Sequence, residues 1–153
     1  MAIFSNQATL TYNGNTTNSN TAYGEILDVL TAAKTEVEDS YSPGDVVTYV
    51  VNLHNTGATA LTGLTLSDDL GGYTFNGATV YPLTYVTDTA RLIVNGAVQA
   101  TPTVNPGPPM TVTGINIPAG GDAVLVYQAR VNNFASPDAT GTITTLSLCP
   151  ALV

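Results

Sequence analysis

Positive charge is scarce in this 153-residue chain: three Lys and Arg residues stand against eleven Asp and Glu residues, giving a net charge of −8. Nucleic-acid binding needs a basic patch that meets the phosphates. Because Lys34, Arg91 and Arg130 are the only strong cations, we expect no nucleic-acid partner. The negative balance favours solubility and selects no ligand.

Cysteine and long apolar runs are scarce as well. The single cysteine, Cys149, excludes an intrachain disulfide and a cysteine-based metal cluster. It is either a small buried apolar residue or the site of an intermolecular disulfide. No apolar run approaches the roughly 20 residues of a membrane helix, and no charged and then apolar leader opens the chain. We therefore expect no membrane span and no signal peptide in this chain, so that a signal was removed or export uses another route.

Charged residues make up only 9% of the chain and hydrophobic residues 44%, with many Thr, Asn and Gly. This composition favours a β-rich surface or assembly protein over a cytosolic enzyme. The length fits one domain, or one domain with an extension.

The segment Tyr41–Asp69 has the most regular pattern. A Pro43-Gly44 turn signal precedes an alternating run in which every second residue is apolar. An Asn-Thr-Gly break follows, and the alternation resumes at Leu64 and Leu66. Two such strands begin a sheet with one apolar face, which must be buried against a second layer.

Further extended segments recur about every ten residues between Gly, Pro and Asn signals, which indicates a β-sandwich. Residues 1–12 are predicted to form one strand, followed by an Asn13-Gly14 turn and a loop over 15–20. Residues 22–29 are predicted to be extended. Residues 30–37 could form a helix by propensity, but we favour a strand. Further along, we predict an Asn76-Gly77 turn, an edge strand or bulge over 80–86, a hairpin over 91–99, a rigid proline loop over 102–109, and strands over 110–117, 123–131 and 142–148.

Three motifs resemble the conserved repeat domain of bacterial and archaeal surface proteins. They are Ser42-Pro43-Gly44-Asp45 with its following strand, the His54-Asn55-Thr56-Gly57 turn, and the strand from Leu61 that ends in Asp68-Asp69. The resemblance covers roughly residues 30–148, and residues 6–12 resemble the start of longer relatives in anaerobic Gram-positive bacteria. Such domains commonly close with a strand reading Asn-Thr-Ala-Thr-Val, whereas this chain reads Thr-Thr-Leu-Ser-Leu over 144–148.

The resemblance implies an all-β, immunoglobulin-like antiparallel β-sandwich over residues 30–153, preceded by an N-terminal β-hairpin or extended extension over residues 1–29. It also implies a structural role at the cell surface or in an appendage, and it supplies no catalytic residues.

Three sets of residues are candidates for chemistry. His54 is the only histidine, and we expect it to be exposed at a strand end and not to serve as a catalytic base. Asp68 and Asp69 could contribute to a calcium site, although adjacent strand residues point to opposite faces.

Some surface sandwiches join a strand lysine to an asparagine as an isopeptide bond beside a buried carboxylate. Lys34 is the candidate lysine here, but the expected asparagine is missing from the last strand. The other interpretation is an ordinary surface lysine. We predict no catalytic site, no metal, no cofactor and no small-molecule substrate.

The uncharged segment 1–12 is the best functional signal. An extended peptide can add to the sheet of a neighbouring molecule, and a head-to-tail contact of this kind propagates into a fibre unless a ring closes. We therefore predict an extracellular filament or surface-appendage subunit, with itself as partner. The predicted interface residues are Ile3, Phe4, Ala8, Leu10 and Tyr12. The alternative is a monomeric surface binding or adhesion module.

Overall fold

A computed structural model describes residues 2–26, 28–135 and 147–149. The described residues are all β-structure and turns, as the sequence predicts. The strands are β1 (Ala2–Asn6), β2 (Thr9–Tyr12), β3 (Asn15–Asn18), β4 (Ala22–Ile26), β5 (Leu30–Glu36), β6 (Val46–Asn55), β7 (Leu61–Asp68), β8 (Tyr73–Phe75), β9 (Ala78–Val80), β10 (Leu83–Tyr85), β11 (Arg91–Val94), β12 (Ala97–Val98), β13 (Thr103–Asn105), β14 (Met110–Ile117), β15 (Asp122–Val131) and β16 (Ser147–Cys149). No helix in this part of the chain has the length and apolar character needed to cross a membrane.

Two antiparallel sheets form the body of the molecule. One has the order β12-β11-β15-β6-β5, with β10 also paired to β15, and the other has the order β13-β14-β7-β16. The apolar core draws on inward-facing side chains of both sheets. It comprises Val47, Tyr49, Val51 and Leu53 of β6; Leu64 and Leu66 of β7; Met110, Val112, Ile115 and Ile117 of β14; and Ala123, Leu125, Tyr127, Ala129 and Val131 of β15, with loop and edge residues around them.

The alternation predicted for the central strands is confirmed. Along β6 and β15, buried residues occur at every second position, which is the side-chain period of a strand with one face in the core. In β14 the period is interrupted at Gly114, which has φ = 78°, and the pairing with β7 shifts its register there. This bulge lets both Val112 and Ile115 face the core although they are three residues apart.

The Ser42–Asp45 and His54–Gly57 motifs form turns at the ends of strands, and a side chain in each motif stabilises the turn. Asp45 accepts a hydrogen bond from the Ser42 backbone amide at 2.7 Å, which closes the Pro-Gly turn. Asn55 is fully buried and donates to the carbonyl oxygens of Thr59 (2.8 Å) and Pro118 (2.9 Å). Its side chain therefore ties the β6–β7 turn to the end of β14.

Residues 2–26 form two small sheets outside the body. Strand β1 pairs with β4, β2 pairs with β3, and none of these four strands pairs with a described strand of the body. Asn13 and Gly14 have φ values of 48° and 76°, as expected for the Asn-Gly hairpin turn.

The structure corrects several local predictions. The predicted strand 1–12 is broken at residues 7–8, and the predicted loop over 15–20 contains β3. Strand β4 ends at Ile26, before the predicted end at residue 29, and β13 lies inside the predicted proline loop as an edge strand. In the last predicted strand, 142–148, residues 142–146 lie outside the described part of the chain.

Candidate functional site

A lysine from one sheet meets an aspartate from the other inside the sandwich. Lys34 lies on β5 and Asp68 is the last residue of β7. The Lys34 Nζ atom is 2.8 Å from Asp68 Oδ2, and the two side chains are 15% and 0% exposed. The interpretation of Lys34 as an ordinary surface lysine is therefore wrong, because its ammonium group lies in the body beside a fully buried carboxylate.

The carboxylate of Asp68 is held by additional donors. The hydroxyl of Tyr127 donates to Oδ2 in a short hydrogen bond, and the backbone amide of Leu70 donates to Oδ1 at 3.0 Å. Hydrogen bonds to a charged acceptor are stronger than those between neutral groups. The position of the carboxylate is therefore fixed from two sides.

Two tyrosine rings enclose the ammonium group. Lys34 Nζ lies 4.1 Å from the ring centroid of Tyr49 and 5.7 Å from that of Tyr127. The two rings are themselves in contact, with centroids 5.6 Å apart. Aromatic faces attract a cation within about 6 Å, so both rings help to hold the amine, whose side chain is only 15% exposed.

Burial and charge act in opposite directions on Asp68. Burial by itself raises the pKa of the carboxyl group, but the neighbouring Lys34 charge and the hydrogen bonds from Lys34, Tyr127 and Leu70 outweigh it, so the pKa lies below its usual value. For Tyr127, burial and then the negative charge of Asp68 both raise the pKa of the hydroxyl. Asp68 is therefore a carboxylate and Tyr127 a neutral donor at neutral pH.

This arrangement has one evident chemical capability. The ion pair is the resting form, because the pKa of Asp68 is lowered; a transient proton transfer from Lys34 Nζ to Asp68 Oδ2, 2.8 Å away, would leave an uncharged amine. A neutral amine is a nucleophile, whereas an ammonium group is not. The same pair is also a structural link between the two sheets.

The two candidate calcium ligands, Asp68 and Asp69, do not face a common site. Asp68 faces the core and Lys34, while Asp69 is exposed and accepts a hydrogen bond from the Gly71 amide at 2.8 Å. Within residues 2–26, 28–135 and 147–149, no three His, Cys, Asp or Glu side chains are grouped as metal ligands would be.

His54 lies near the end of β6 with its side chain 46% exposed. Its Nδ1 atom is 2.6 Å from Oδ1 of Asp122, which is itself 68% exposed. This surface pair was not foreseen from the sequence, and it lies across the β6–β15 ladder.

The predicted interface residues lie on the extension. Leu10 and Tyr12 on β2 are 66% and 74% exposed, and Ala8 is exposed in the break before β2. Ile3 and Phe4 lie on β1, opposite Glu25 and Gly24, but their side chains lie outside what the structure describes.

Cys149 lies on β16, opposite Thr65 of β7. Its side chain is also outside the described part, so the intermolecular disulfide stays a prediction.

Sequence reasoning missed that Lys34, Asp68 and Tyr127 come together. A signal was present in the strand period, because Asp68 follows Leu64 and Leu66 at intervals of two residues. Residues at such intervals share a face, which places the carboxylate with the core leucines. Lys34 similarly follows Leu30 at an interval of four.

No family model and no curated protein sequence matches this chain. Among solved structures, the chain is similar to the pilus backbone protein RrgB from Streptococcus pneumoniae, with 13% identity over 70% of this chain and a TM-score of 0.53. The match covers 47% of that protein, so the chain spans about half its length. The structure of the RrgA Jo.In complex aligns with 94% of this chain and 84% of that one, at 11% identity and a TM-score of 0.49. The similarity to RrgB shows a shared β-sandwich fold.

Proposed function

We propose that this protein is a structural subunit of a self-assembling extracellular filament or surface appendage, in which the N-terminal segment of one subunit adds as a β-strand to the next. In this proposal residues 1–29 are the connecting extension and residues 30–153 are the body. The partner is another copy of the same chain. The subunit needs no cofactor or small-molecule substrate and does not act as an enzyme on other molecules.

The observation that carries the proposal is the exposure of apolar side chains on a β-strand outside the body. Leu10 and Tyr12 are mostly exposed on β2, and β2 pairs only with β3 among the described strands. Residues 1–12 carry no charged side chain. An exposed apolar strand without charge is a site for pairing with another chain.

The body offers edges that can receive such a strand. Strand β5 ends one sheet and pairs only with β6 among the described strands. In the other sheet, the described part of β16 pairs with only three residues of β7, Thr65 to Ser67. Because donor and acceptor are different surfaces, the contact is head-to-tail and propagates. The fold shared with a pilus backbone protein is consistent with this role.

The experiment is negative-stain electron microscopy of the purified chain, with and without residues 2–12. The proposal predicts fibres from the intact chain and dispersed particles from the deletion variant. Circular dichroism serves as the control that the deletion variant keeps its β-structure. Fibres that persist after the deletion would exclude strand donation by this segment.

A monomeric binding or adhesion module is the second candidate. Three exposed aromatic side chains favour it: Tyr73 (36%), Phe75 (52%) and Phe134 (46%). The Tyr73 hydroxyl donates to the Phe134 carbonyl at 2.6 Å, which places two of them side by side. A monodisperse monomer from the intact chain would support this candidate and contradict the filament.

A further inference from the structure

In a single extended strand, Asn6 shares its face with four of the five residues proposed for the interface, Phe4, Ala8, Leu10 and Tyr12. Side chains alternate between the two faces of an extended strand. When residues 6–12 run as one strand, Asn6 therefore joins Ala8, Leu10 and Tyr12 on one face, and Gln7, Thr9 and Thr11 occupy the other. A strand that buries its apolar face in a neighbour also buries Asn6. A buried amide needs polar partners, because leaving it without them costs about 1–3 kcal/mol.

The inward face of β7 has a matching order of residues. Leu64, Leu66 and Asp68 are all buried and occur at intervals of two. A donated strand antiparallel to β7, in the direction that β16 takes, can place Leu10 beside Leu64 and Ala8 beside Leu66. The same register places Asn6 beside Asp68, where Lys34 supplies an amine. In this register Ala8, Leu10 and the amide of Asn6 lie opposite buried residues of β7, whereas Tyr12 lies opposite the exposed Thr62.

We propose that Asn6 of one subunit forms an isopeptide bond with Lys34 of the next, at the Lys34–Asp68–Tyr127 cluster, with the donated strand replacing β16 beside β7. This inference rests on the proposed strand donation and deepens it by naming a covalent link. Residues 136–153 contain no asparagine, and a donated strand brings Asn6 to the position beside Asp68.

The reaction exchanges one amide for another. Asp68 accepts a proton from the Lys34 ammonium group, and the resulting neutral amine attacks the side-chain carbonyl carbon of Asn6. The bond from that carbon to the asparagine nitrogen breaks. Asp68 returns its proton to the departing nitrogen, which leaves as ammonia and takes up a further proton from the new amide nitrogen to become ammonium. The products are an Nζ–Cγ amide and one ammonium ion, with no oxidant or other reactant.

The fixed groups of the cluster suit this step. The carboxylate oxygen is already 2.8 Å from the nucleophilic nitrogen, which is within the reach required of a general base. The Tyr127 hydroxyl holds the same oxygen in place. The Lys34 side chain is 15% exposed, with the Tyr49 and Tyr127 ring centroids 4.1 and 5.7 Å from Nζ, which limits the access of water to the amine.

The experiment uses full-length protein, boiled in SDS with reductant and separated by electrophoresis, alongside negative-stain images of the same samples. Asn6→Ala removes the acceptor on an exposed residue, and Lys34→Arg keeps the positive charge beside Asp68 but removes the reactive amine. Asn20→Ala, at an exposed position of the same extension, is the matched control. We expect a ladder of covalent oligomers from the wild type and from Asn20→Ala, and loss of the ladder in Asn6→Ala and Lys34→Arg.

Mass spectrometry of the ladder identifies the bond. We expect one pair of peptides joined at Asn6 and Lys34, lighter than their sum by about 17 Da for each bond, the mass of ammonia.

Fibres that dissolve fully in SDS would overturn this inference while leaving strand donation intact, and absence of fibres would overturn the proposed function itself. A monomer lighter by about 17 or 18 Da would indicate a bond within one chain, to an amide or to a carboxyl group, and would also overturn the inference. Oligomers that disappear only with reductant would indicate Cys149 instead.

Discussion

The hydroxyl of Tyr127 and the ammonium group of Lys34 both contact the same oxygen of Asp68, Oδ2. Asp68 lies at the end of β7 in one sheet, whereas Lys34 and Tyr127 belong to the other. One fully buried carboxylate therefore joins the two layers of the sandwich at this position.

Substituting Asp68 by alanine should destabilise the isolated subunit strongly. The change leaves the ammonium group of Lys34 buried without its carboxylate, and breaking a buried ion pair from one side costs about 3–5 kcal/mol. Asp69→Ala is the matched control: the exposed side chain of Asp69 accepts a hydrogen bond from a nearby turn amide, and its removal should cost about 1 kcal/mol or less. Urea unfolding measures both. Equal losses for the two variants would contradict the account of the cluster.

Acid should weaken the subunit through the same carboxylate. The pKa of Asp68 is lowered in the folded state, so the unfolded chain binds the proton more readily. The stability that Asp68 contributes is therefore fully present above the unfolded pKa of about 3.9, and it is lost as the pH falls through the lower folded value.

The measurement for this prediction is urea unfolding between about pH 5 and pH 2, on monomer kept unassembled. The difference between the wild type and Asp68→Asn should shrink as the pH falls. A difference that stays constant across this range would show that Asp68 does not carry the expected proton linkage.

Replacing Asn55 should lower the free energy of unfolding more than replacing Asn52, which lies on the same strand. Its side chain is fully buried, donates to two loop carbonyl groups and accepts from the Gly57 amide at 2.9 Å. Asn55→Ala leaves these groups without partners, at about 1–3 kcal/mol for a buried unsatisfied group. Asn52→Ala, at an exposed position of β6, should change the free energy of unfolding by less than about 0.5 kcal/mol. Thermal unfolding compares the two, and a ranking in the opposite order would refute this role.

Much of the body could be predicted from the sequence because its strands obey a simple period. The runs in β6 and β15 alternate cleanly, and the hairpin over 91–98 turns at Asn95-Gly96 with positive φ at both residues. These features depend on local chemistry: side-chain alternation and the backbone freedom of the Asn-Gly pair.

The extension was predicted less well because no core constrains it. Its residues alternate in the sequence between polar and apolar, which suits a single strand from 1 to 12, yet the structure folds it into two short pairs with a break at 7–8. Weakly specified strands of this kind can change partners. The single-strand form that the sequence favours is the form required for donation.

The Lys34–Asp68 contact could not be predicted from local patterns alone. Burial of a charge depends on whether a partner from another element arrives at the same depth, and Lys34 and Asp68 are 34 residues apart in the chain. Only the way the two sheets pack brings the ammonium group under Tyr49 and beside the carboxylate.

Strand donation is tested most directly by adding charge to each face of β2 in turn and measuring assembly by sedimentation velocity. Leu10→Asp with Tyr12→Asp places two charges on the face that is to be buried, whereas Thr9→Asp with Thr11→Asp places the same charges on the opposite face. All four positions are exposed in the subunit, so neither pair should unfold the body. The account predicts monomers from the first pair and assemblies from the second; equal assembly by both pairs would contradict it.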